Sequence, residues 1–132
     1  MYTLKLKHHF DAAHKLEDYA GPCSNLHGHR WDILVEIEKD SLKNDMVIDF
    51  KRIKEIINQF DHVTILQDRD ENNKLITVMN ECGLLMNLTP FNPTAENLAL
   101  HLKNLIWKEL GNNAFDNVKV TLWESPEASI TV

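Results

Sequence analysis

The chain has 132 residues, and we expect residues 1–132 to fold as one modest domain that is short for an enzyme enclosing its own site. The net charge is −6, and Lys and Arg form no cluster interleaved with aromatic residues, which disfavours a nucleic-acid-binding protein. The 2 cysteines are too few for a disulfide framework, and neither a signal peptide nor a long apolar run is evident. We therefore expect a soluble, cytoplasmic protein and no membrane partner.

Two strand patterns near the N-terminus carry histidines on their apolar sides. Residues 2–14 alternate between apolar and polar side chains, and His14 falls on the apolar side. Residues 27–38 alternate in the same way, with His27 and His29 on the apolar side. Because successive side chains of a strand point to opposite faces, pairing of the two strands would bring three imidazoles together.

Three neutral imidazoles with one open position are typical of a catalytic zinc site, since a structural site uses four protein ligands. Cys23, just before the His27-Gly28-His29 run, is one candidate for a fourth ligand. We favour a second interpretation, in which the thiol stays unligated beside the ion and serves as a base or nucleophile. A small buried hydrophobe is the commoner fate of a lone cysteine.

Two helices are predicted in the middle of the chain. Asp49 is a candidate N-cap for the first helix, whose apolar spacing continues to residues 61–62. Thr94 is the candidate N-cap of the second, which Gly111 ends.

The other segments complete the predicted order of elements. Residues 67–74 are charged and predict an exposed loop, and residues 75–88 suggest a short helix followed by a short strand. Residues 117–123 and 128–132 have strand patterns. The main order, strand, strand, helix, helix, strand, strand, predicts an α+β fold with a four-stranded antiparallel sheet and two helices on one face.

Further polar residues suggest proton-transfer chemistry. Asp61 precedes His62, and an imidazole oriented by a carboxylate can give or take a proton. A metal that holds a hydroxyl or carbonyl oxygen eases removal of the adjacent C–H proton, so with Cys23 the set suits enolisation or tautomerisation. The His-Glu-x-x-His motif of metallopeptidases and the Pro-Cys-x-x-Cys motif of zinc deaminases are absent. The alternatives are that Asp61 and His62 cap a helix and that Glu124 is a solvated turn residue.

Six motifs follow one another over nearly the whole chain: Phe-x-Ala-Ala-His, Cys-x-x-x-His-Gly-His, Met-Val-Ile-Asp-Phe, Asp-His, Pro-Thr-Ala-Glu-Asn and Trp-Glu-Ser-Pro. With them the chain resembles the 6-pyruvoyltetrahydropterin synthase superfamily, and within it the queuosine-pathway branch, the 6-carboxy-5,6,7,8-tetrahydropterin synthases. The short gap between Cys23 and the histidine pair resembles the queuosine branch, whereas the biopterin branch usually has a longer gap. The long stretch before Pro93 departs from the shortest members.

The resemblance implies the tunnelling fold (T-fold), in which subunits join their sheets into a barrel as a homo-oligomer, a trimer or a dimer of trimers. It implies zinc as cofactor and 7,8-dihydroneopterin triphosphate as substrate. The implied products are 6-carboxytetrahydropterin, acetaldehyde and triphosphate. The alternatives are a biopterin-type enzyme forming 6-pyruvoyltetrahydropterin and a non-catalytic pterin-binding member.

The resemblance also implies roles by position: zinc ligands at His14, His27 and His29, a proton-abstracting thiol at Cys23, and a second acid/base at His62, oriented by Asp61.

Three further positions match the family's pterin-binding segments. Glu124 matches the pterin anchor, whose carboxylate accepts two N–H bonds from the pterin edge. Thr94 and Glu96 match a segment near the pterin, often across a subunit boundary. From the residues alone, Thr94 and Glu96 are equally explained as helix-capping residues.

Overall fold

The structure is a computed structural model that describes residues 1–111 and 114–132. In chain order its strands and α-helices are β1 (Tyr2–His14), β2 (His27–Lys39), α1 (Phe50–Ile57), β3 (Val63–Gln67), α2 (Asn73–Glu81), β4 (Met86–Thr89), α3 (Ala95–Ile106), β5 (Asn117–Ser125) and β6 (Ala128–Thr131). Shorter turns of 3₁₀-helix lie at Pro22–Ser24, Asn58–Phe60 and Asp70–Asn72, and a π-helical turn at Trp107–Gly111 continues α3.

One mixed sheet organises the fold, in the order β4-β3-β1-β2-β5-β6. Strand β2 is antiparallel to both β1 and β5, whereas β3 is parallel to both β1 and β4. The α+β class is confirmed, but the prediction of four antiparallel strands and two helices was wrong. Among the described residues the sheet has six strands, and the α-helices number three.

The error arose in the segment between the predicted helices. Strand β3 spans five residues without polar alternation, and short parallel strands give only this weak signal. The short helix and strand suggested for residues 75–88 are confirmed as α2 and β4, with Gly83 between them at φ +72°. The segment 67–74 is mostly exposed as predicted, but the predicted loop was wrong in two respects: the segment forms a 3₁₀ turn and the start of α2, and Asn72 is buried.

The hydrophobic core lies between one face of the sheet and helices α1 and α3. Phe10 and Trp31, on neighbouring strands, are fully buried and stack with ring centroids 5.9 Å apart. The helices contribute buried side chains at helical spacing: Ile53, Ile56, Ile57, Leu98, Ala99, Leu102 and Ile106. Burying each large apolar side chain contributes about 1.5–3 kcal/mol. Packing of this face against the helices therefore determines that His14, His27 and His29 point to the core side of the sheet.

Both predicted N-caps are present. The Asp49 and Thr94 side chains each accept a hydrogen bond from a first-turn backbone N–H, at 2.9 and 3.2 Å. Helix α1 ends at Ile57, earlier than predicted, and a 3₁₀ turn carries the chain to Asp61. No described helix is long and apolar enough to cross a membrane.

Substitution of Leu102 tests the hydrophobic core, and the same substitution at Leu100, also in α3, is the control. Leu102 is fully buried, so Leu102→Ala should lower the free energy of unfolding by about 2–5 kcal/mol through lost burial and the cavity left behind. Leu100 is 47% exposed, so Leu100→Ala should change the free energy of unfolding by less than about 0.5 kcal/mol. Urea unfolding followed by circular dichroism measures both; equal losses would contradict this description of α3.

Candidate metal centre and active site

The three predicted histidines converge at one end of the β1–β2 pair. The strand register places His14 opposite His27 and Ala12 opposite His29. All three imidazoles lie on the core side, as the alternation predicted. With Glu124 they bring one ligand atom each to within 4.8 Å of one another.

Backbone carbonyls orient two of these imidazoles. His14 Nδ1 lies 2.8 Å from the Pro93 carbonyl oxygen, and His27 Nδ1 lies 2.7 Å from the Asn25 carbonyl oxygen. A carbonyl oxygen only accepts hydrogen bonds, so each Nδ1 carries the proton and each Nε2 keeps its lone pair. The two Nε2 atoms face each other at 3.0 Å. A metal ion bound by both nitrogens would stabilise this arrangement.

Burial keeps His14 and His29 in the protonation state that a metal requires. Removal from water lowers the pKa of His14, and the same desolvation lowers the pKa of His29. Both imidazoles are therefore neutral near pH 7. Among the described residues His29 Nε2 is buried and has only the Glu124 carboxylate within reach, at 3.2 Å, an arrangement that a bound ion would satisfy.

Glu124 completes the cluster from β5. Along this strand Val118, Val120 and Leu122 are buried, and Glu124 continues their alternation onto the same side. Its Oε1 lies 3.3 Å from His14 Nε2 and 3.2 Å from His29 Nε2. Ligand atoms about 2.0–2.1 Å from a tetrahedral zinc lie roughly 3.3–3.4 Å from one another. The residues present therefore fit a zinc ion.

Cys23 lies in the loop that joins the two histidine-bearing strands. It is a half-buried free thiol on the Pro22–Ser24 turn, and its carbonyl accepts a hydrogen bond from Leu16 N–H at 3.0 Å. Its sulfur does not belong to the group of ligand atoms that converges among the described residues. The geometry thus favours an unligated Cys23 over a fourth metal ligand.

Asp61 and His62 form a hydrogen-bonded pair beside β1. His62 Nδ1 lies 2.8 Å from Asp61 Oδ2, and Asp61 Oδ1 accepts the Asp11 N–H at 2.8 Å. The hydrogen bond to Asp61 raises the pKa of His62, and the Asp11 N–H lowers the pKa of Asp61. His62 has a positive φ of 57°, and its side chain is 77% exposed. The predicted orientation of His62 by Asp61 is present.

An open cleft of about 470 Å³ lies beside this pair, and it includes His29 but not His14, His27 or Glu124 among its lining residues. His29 and His62 both line it, with Leu84 and Leu85 from the loop before β4. The other lining residues are Asp11, Ala12, Ala13, Gly28, Arg30, Val63 and Thr64. The loop between α2 and β4 therefore shapes the rim of the cleft.

Thr94 and Glu96 lie next to the cluster. Thr94 caps α3 and follows Pro93, whose carbonyl binds His14. Glu96 is exposed, and it lines a cavity of about 90 Å³ together with Glu124. The carbonyls of Pro93 and Asn25 were not predicted, because any residue offers a carbonyl and only the fold decides which one meets an imidazole.

Comparisons with known proteins show similarity in sequence and in fold. The sequence model of the 6-pyruvoyl tetrahydropterin synthase family matches residues 3–132. A Rickettsia felis protein named 6-carboxy-5,6,7,8-tetrahydropterin synthase is 37% identical over 132 residues, covering 93% of this chain and 94% of the relative. An uncharacterized Wolinella succinogenes protein superposes with a TM-score of 0.79 at 20% identity, covering 99% and 97% of the two chains. The Plasmodium vivax 6-pyruvoyl tetrahydropterin synthase gives 0.69 at 20% identity, with coverage of 100% and 98%.

Replacing one convergent imidazole should empty the centre. We expect His27→Ala to lose bound metal after purification, because one of the four convergent ligand atoms is removed and the affinity for the ion falls. Metal per chain is measured by inductively coupled plasma mass spectrometry. His9→Ala is the control, since His9 is exposed on the opposite side of β1 and should leave the metal content unchanged. Full metal occupancy in His27→Ala would place the metal elsewhere.

Asp61→Asn should lower the pKa of His62 towards its ordinary value of 6.5, because the charged acceptor is lost. Titration of the His62 ring resonances by NMR measures this directly, and an unchanged pKa would contradict the pairing. Because the folded-state pKa is raised, the pair stabilises the fold fully below pH 6.5. That contribution is lost as the pH rises through the folded-state pKa of His62.

Proposed function

The chain belongs to the 6-pyruvoyl tetrahydropterin synthase family, and from this premise we propose that it is a zinc-dependent 6-carboxy-5,6,7,8-tetrahydropterin synthase. Its substrate is 7,8-dihydroneopterin triphosphate. Its products are 6-carboxytetrahydropterin, acetaldehyde and triphosphate, and the reaction serves queuosine biosynthesis.

This proposal depends on the similarity to the Rickettsia felis protein, which is 37% identical to this chain over more than nine-tenths of both chains. The solved structures named 6-pyruvoyl tetrahydropterin synthase share about a fifth of their residues with this chain, so they support the fold alone. We therefore prefer the carboxy product to the pyruvoyl product.

His14, His27 and His29 hold the zinc ion in this proposal. Bound zinc supplies a Lewis acid that lowers the cost of removing a proton next to a coordinated oxygen. The hydrogen bonds from Nδ1 to backbone carbonyls keep the His14 and His27 rings oriented, and burial keeps His14 neutral. Ligand orientation is thus set by the fold before substrate arrives.

Cys23 and His62 move the protons. Cys23 takes a proton from the carbon that bears the substrate hydroxyl, since its thiol is free and belongs to the loop between the two histidine strands. His62 serves as the second acid/base, and Asp61 holds its Nδ1 so that Nε2 is available to the cleft. The raised pKa of His62 favours its protonated form, which suits it to donate.

Glu124 anchors the pterin edge in this proposal, with Thr94 and Glu96 beside it. A carboxylate accepts two N–H bonds from an aminopyrimidinone, which fixes the ring orientation. Glu124 and Glu96 share one cavity, and this supports a common ligand. The proximity of Glu124 Oε1 to two imidazoles supports a pterin site next to the metal ligands.

We further propose a cytoplasmic homo-oligomer, a trimer or a dimer of trimers. The cleft is open and the His62 side chain is 77% exposed, so a neighbouring subunit is needed to exclude water from the reaction. Strands β4 and β6 form the two outer edges of the sheet, where strands of another subunit can pair. Both cysteines are free, which agrees with a reducing compartment.

The direct test incubates the purified protein with 7,8-dihydroneopterin triphosphate and identifies the products by mass spectrometry. We expect 6-carboxytetrahydropterin and acetaldehyde, and we expect a metal chelator to abolish both. A 6-pyruvoyl product would move the chain to the biopterin-type reaction. Pterin binding without turnover would mean that the fold serves as a binding protein.

Cys23→Ala separates catalysis from metal binding. We expect kcat to fall by about 10²–10⁴-fold, because a proton-transfer group is lost, while metal per chain stays unchanged. Cys82→Ala is the matched control, since Cys82 is an exposed free thiol at the end of α2. Normal turnover by Cys23→Ala would refute the proposed role of the thiol.

A further inference from the structure

Glu17, in the loop between β1 and β2, is a buried carboxylate outside the metal centre. Its side chain is 6% exposed, and it is the one acidic residue buried among the described residues. Burial of a carboxylate is unfavourable unless charged and polar partners surround it. The partners of Glu17 therefore indicate what the residue holds.

Three side chains meet the Glu17 carboxylate. Lys15 Nζ donates to both oxygens, at 3.1 and 3.2 Å, and Asn72 Nδ2 donates to Oε1 at 2.8 Å. Arg69 Nη1 lies 3.7 Å from Oε2. Asn72 is itself buried, and its Nδ2 also donates to the Gln67 carbonyl at 2.9 Å. The 3₁₀ turn that precedes α2 is thus joined to the loop that carries Cys23.

The Glu17 backbone is held as firmly as its side chain. Asn92 Oδ1 accepts the Glu17 N–H at 3.0 Å, and Asn92 Nδ2 donates to the Glu17 carbonyl at 3.1 Å. The next residue, Pro93, provides the carbonyl that orients His14. The same short segment therefore fixes both Glu17 and a metal-binding imidazole.

Glu17 is linked to Cys23 through a single residue. Leu16, its neighbour, donates its N–H to the Cys23 carbonyl at 3.0 Å, which closes the loop onto itself. An apolar side chain would fill the Glu17 site at lower cost in free energy if stability alone were needed. The bonds to Asn72 and Asn92 instead specify one position for the loop.

We propose that the Glu17 network, formed by Glu17, Lys15, Asn72 and Asn92, is the device that holds the Cys23 loop in place relative to the three histidines. Glu17 is a positioning residue, acting on Cys23 through the loop. The effect on turnover rests on the role of Cys23 in the proposed function, whereas the effect on loop order does not. A misplacement of about 1 Å at a reacting group can cost roughly 10²-fold in rate.

Glu17→Gln tests this, because it keeps the size of the side chain and removes the charge that Lys15 neutralises. Amide hydrogen exchange, followed by mass spectrometry of peptides from residues 15–26, reports the loop. We expect amide exchange in these peptides to become at least about tenfold faster. The reason is that a weakened charge-assisted hydrogen bond makes local opening of the loop more frequent. Peptides from α3 should be unchanged, and so should metal per chain.

The matched control is Asp18→Asn. Asp18 is the next residue in the same loop, but its side chain is 84% exposed and bonds Arg69 at the surface. This variant removes the same charge and should alter neither exchange nor turnover. Asn72→Ala breaks the network from outside the loop and should produce the same changes in exchange and turnover as Glu17→Gln. If Glu17→Gln does not fold, Asn72→Ala is the variant to measure.

In an active enzyme Glu17→Gln should lower kcat by about 10–100-fold with KM within roughly threefold, because the thiol is misplaced while pterin contacts remain. Unchanged exchange in residues 15–26 would overturn the proposal. Faster exchange with unchanged kcat would also overturn it, since the loop position would then not matter. If the wild-type protein does not turn over the pterin, the proposed function fails and the exchange result alone decides the proposal.

Discussion

Two hydrogen bonds, from His14 Nδ1 to the Pro93 carbonyl and from His27 Nδ1 to the Asn25 carbonyl, determine the chemistry of the site. They fix the tautomer of each ring, so that two Nε2 lone pairs meet at 3.0 Å. A metal ion bound by both nitrogens would stabilise this arrangement, and the two carbonyls keep the rings oriented to receive it. The remainder of the site depends on this convergence.

The fold maintains this geometry through ordinary packing and register. Residues of β1, β2 and β5 share one face with the hydrophobic core, and the same face continues into the three histidines and Glu124 at its end. A slip of one residue in the β1–β2 register would turn the histidines of one strand to the opposite face. The stacked Phe10 and Trp31, directly opposite each other in the register, oppose such a slip.

Much of the metal centre could be predicted from the sequence, because strand alternation alone places His14, His27 and His29 on one face of the sheet. The Asp61–His62 pair was also visible as neighbours in the chain. Sequence could not reveal β3, a short parallel strand, or the burial of Asn72 within a charged segment. Nor could it reveal the bonds that Glu17 makes with Asn72 and Asn92, since these join residues 55 and 75 positions apart.

The most direct test of the central claim is X-ray absorption at the zinc edge of the purified protein. The account predicts three imidazole nitrogens and oxygen at about 2.0–2.1 Å, with no sulfur shell. Sulfur at about 2.3 Å that disappears in Cys23→Ala would show that Cys23 binds the metal, and Cys23 could not then act as a free thiol. Absence of bound metal from protein prepared without chelators would contradict the account altogether.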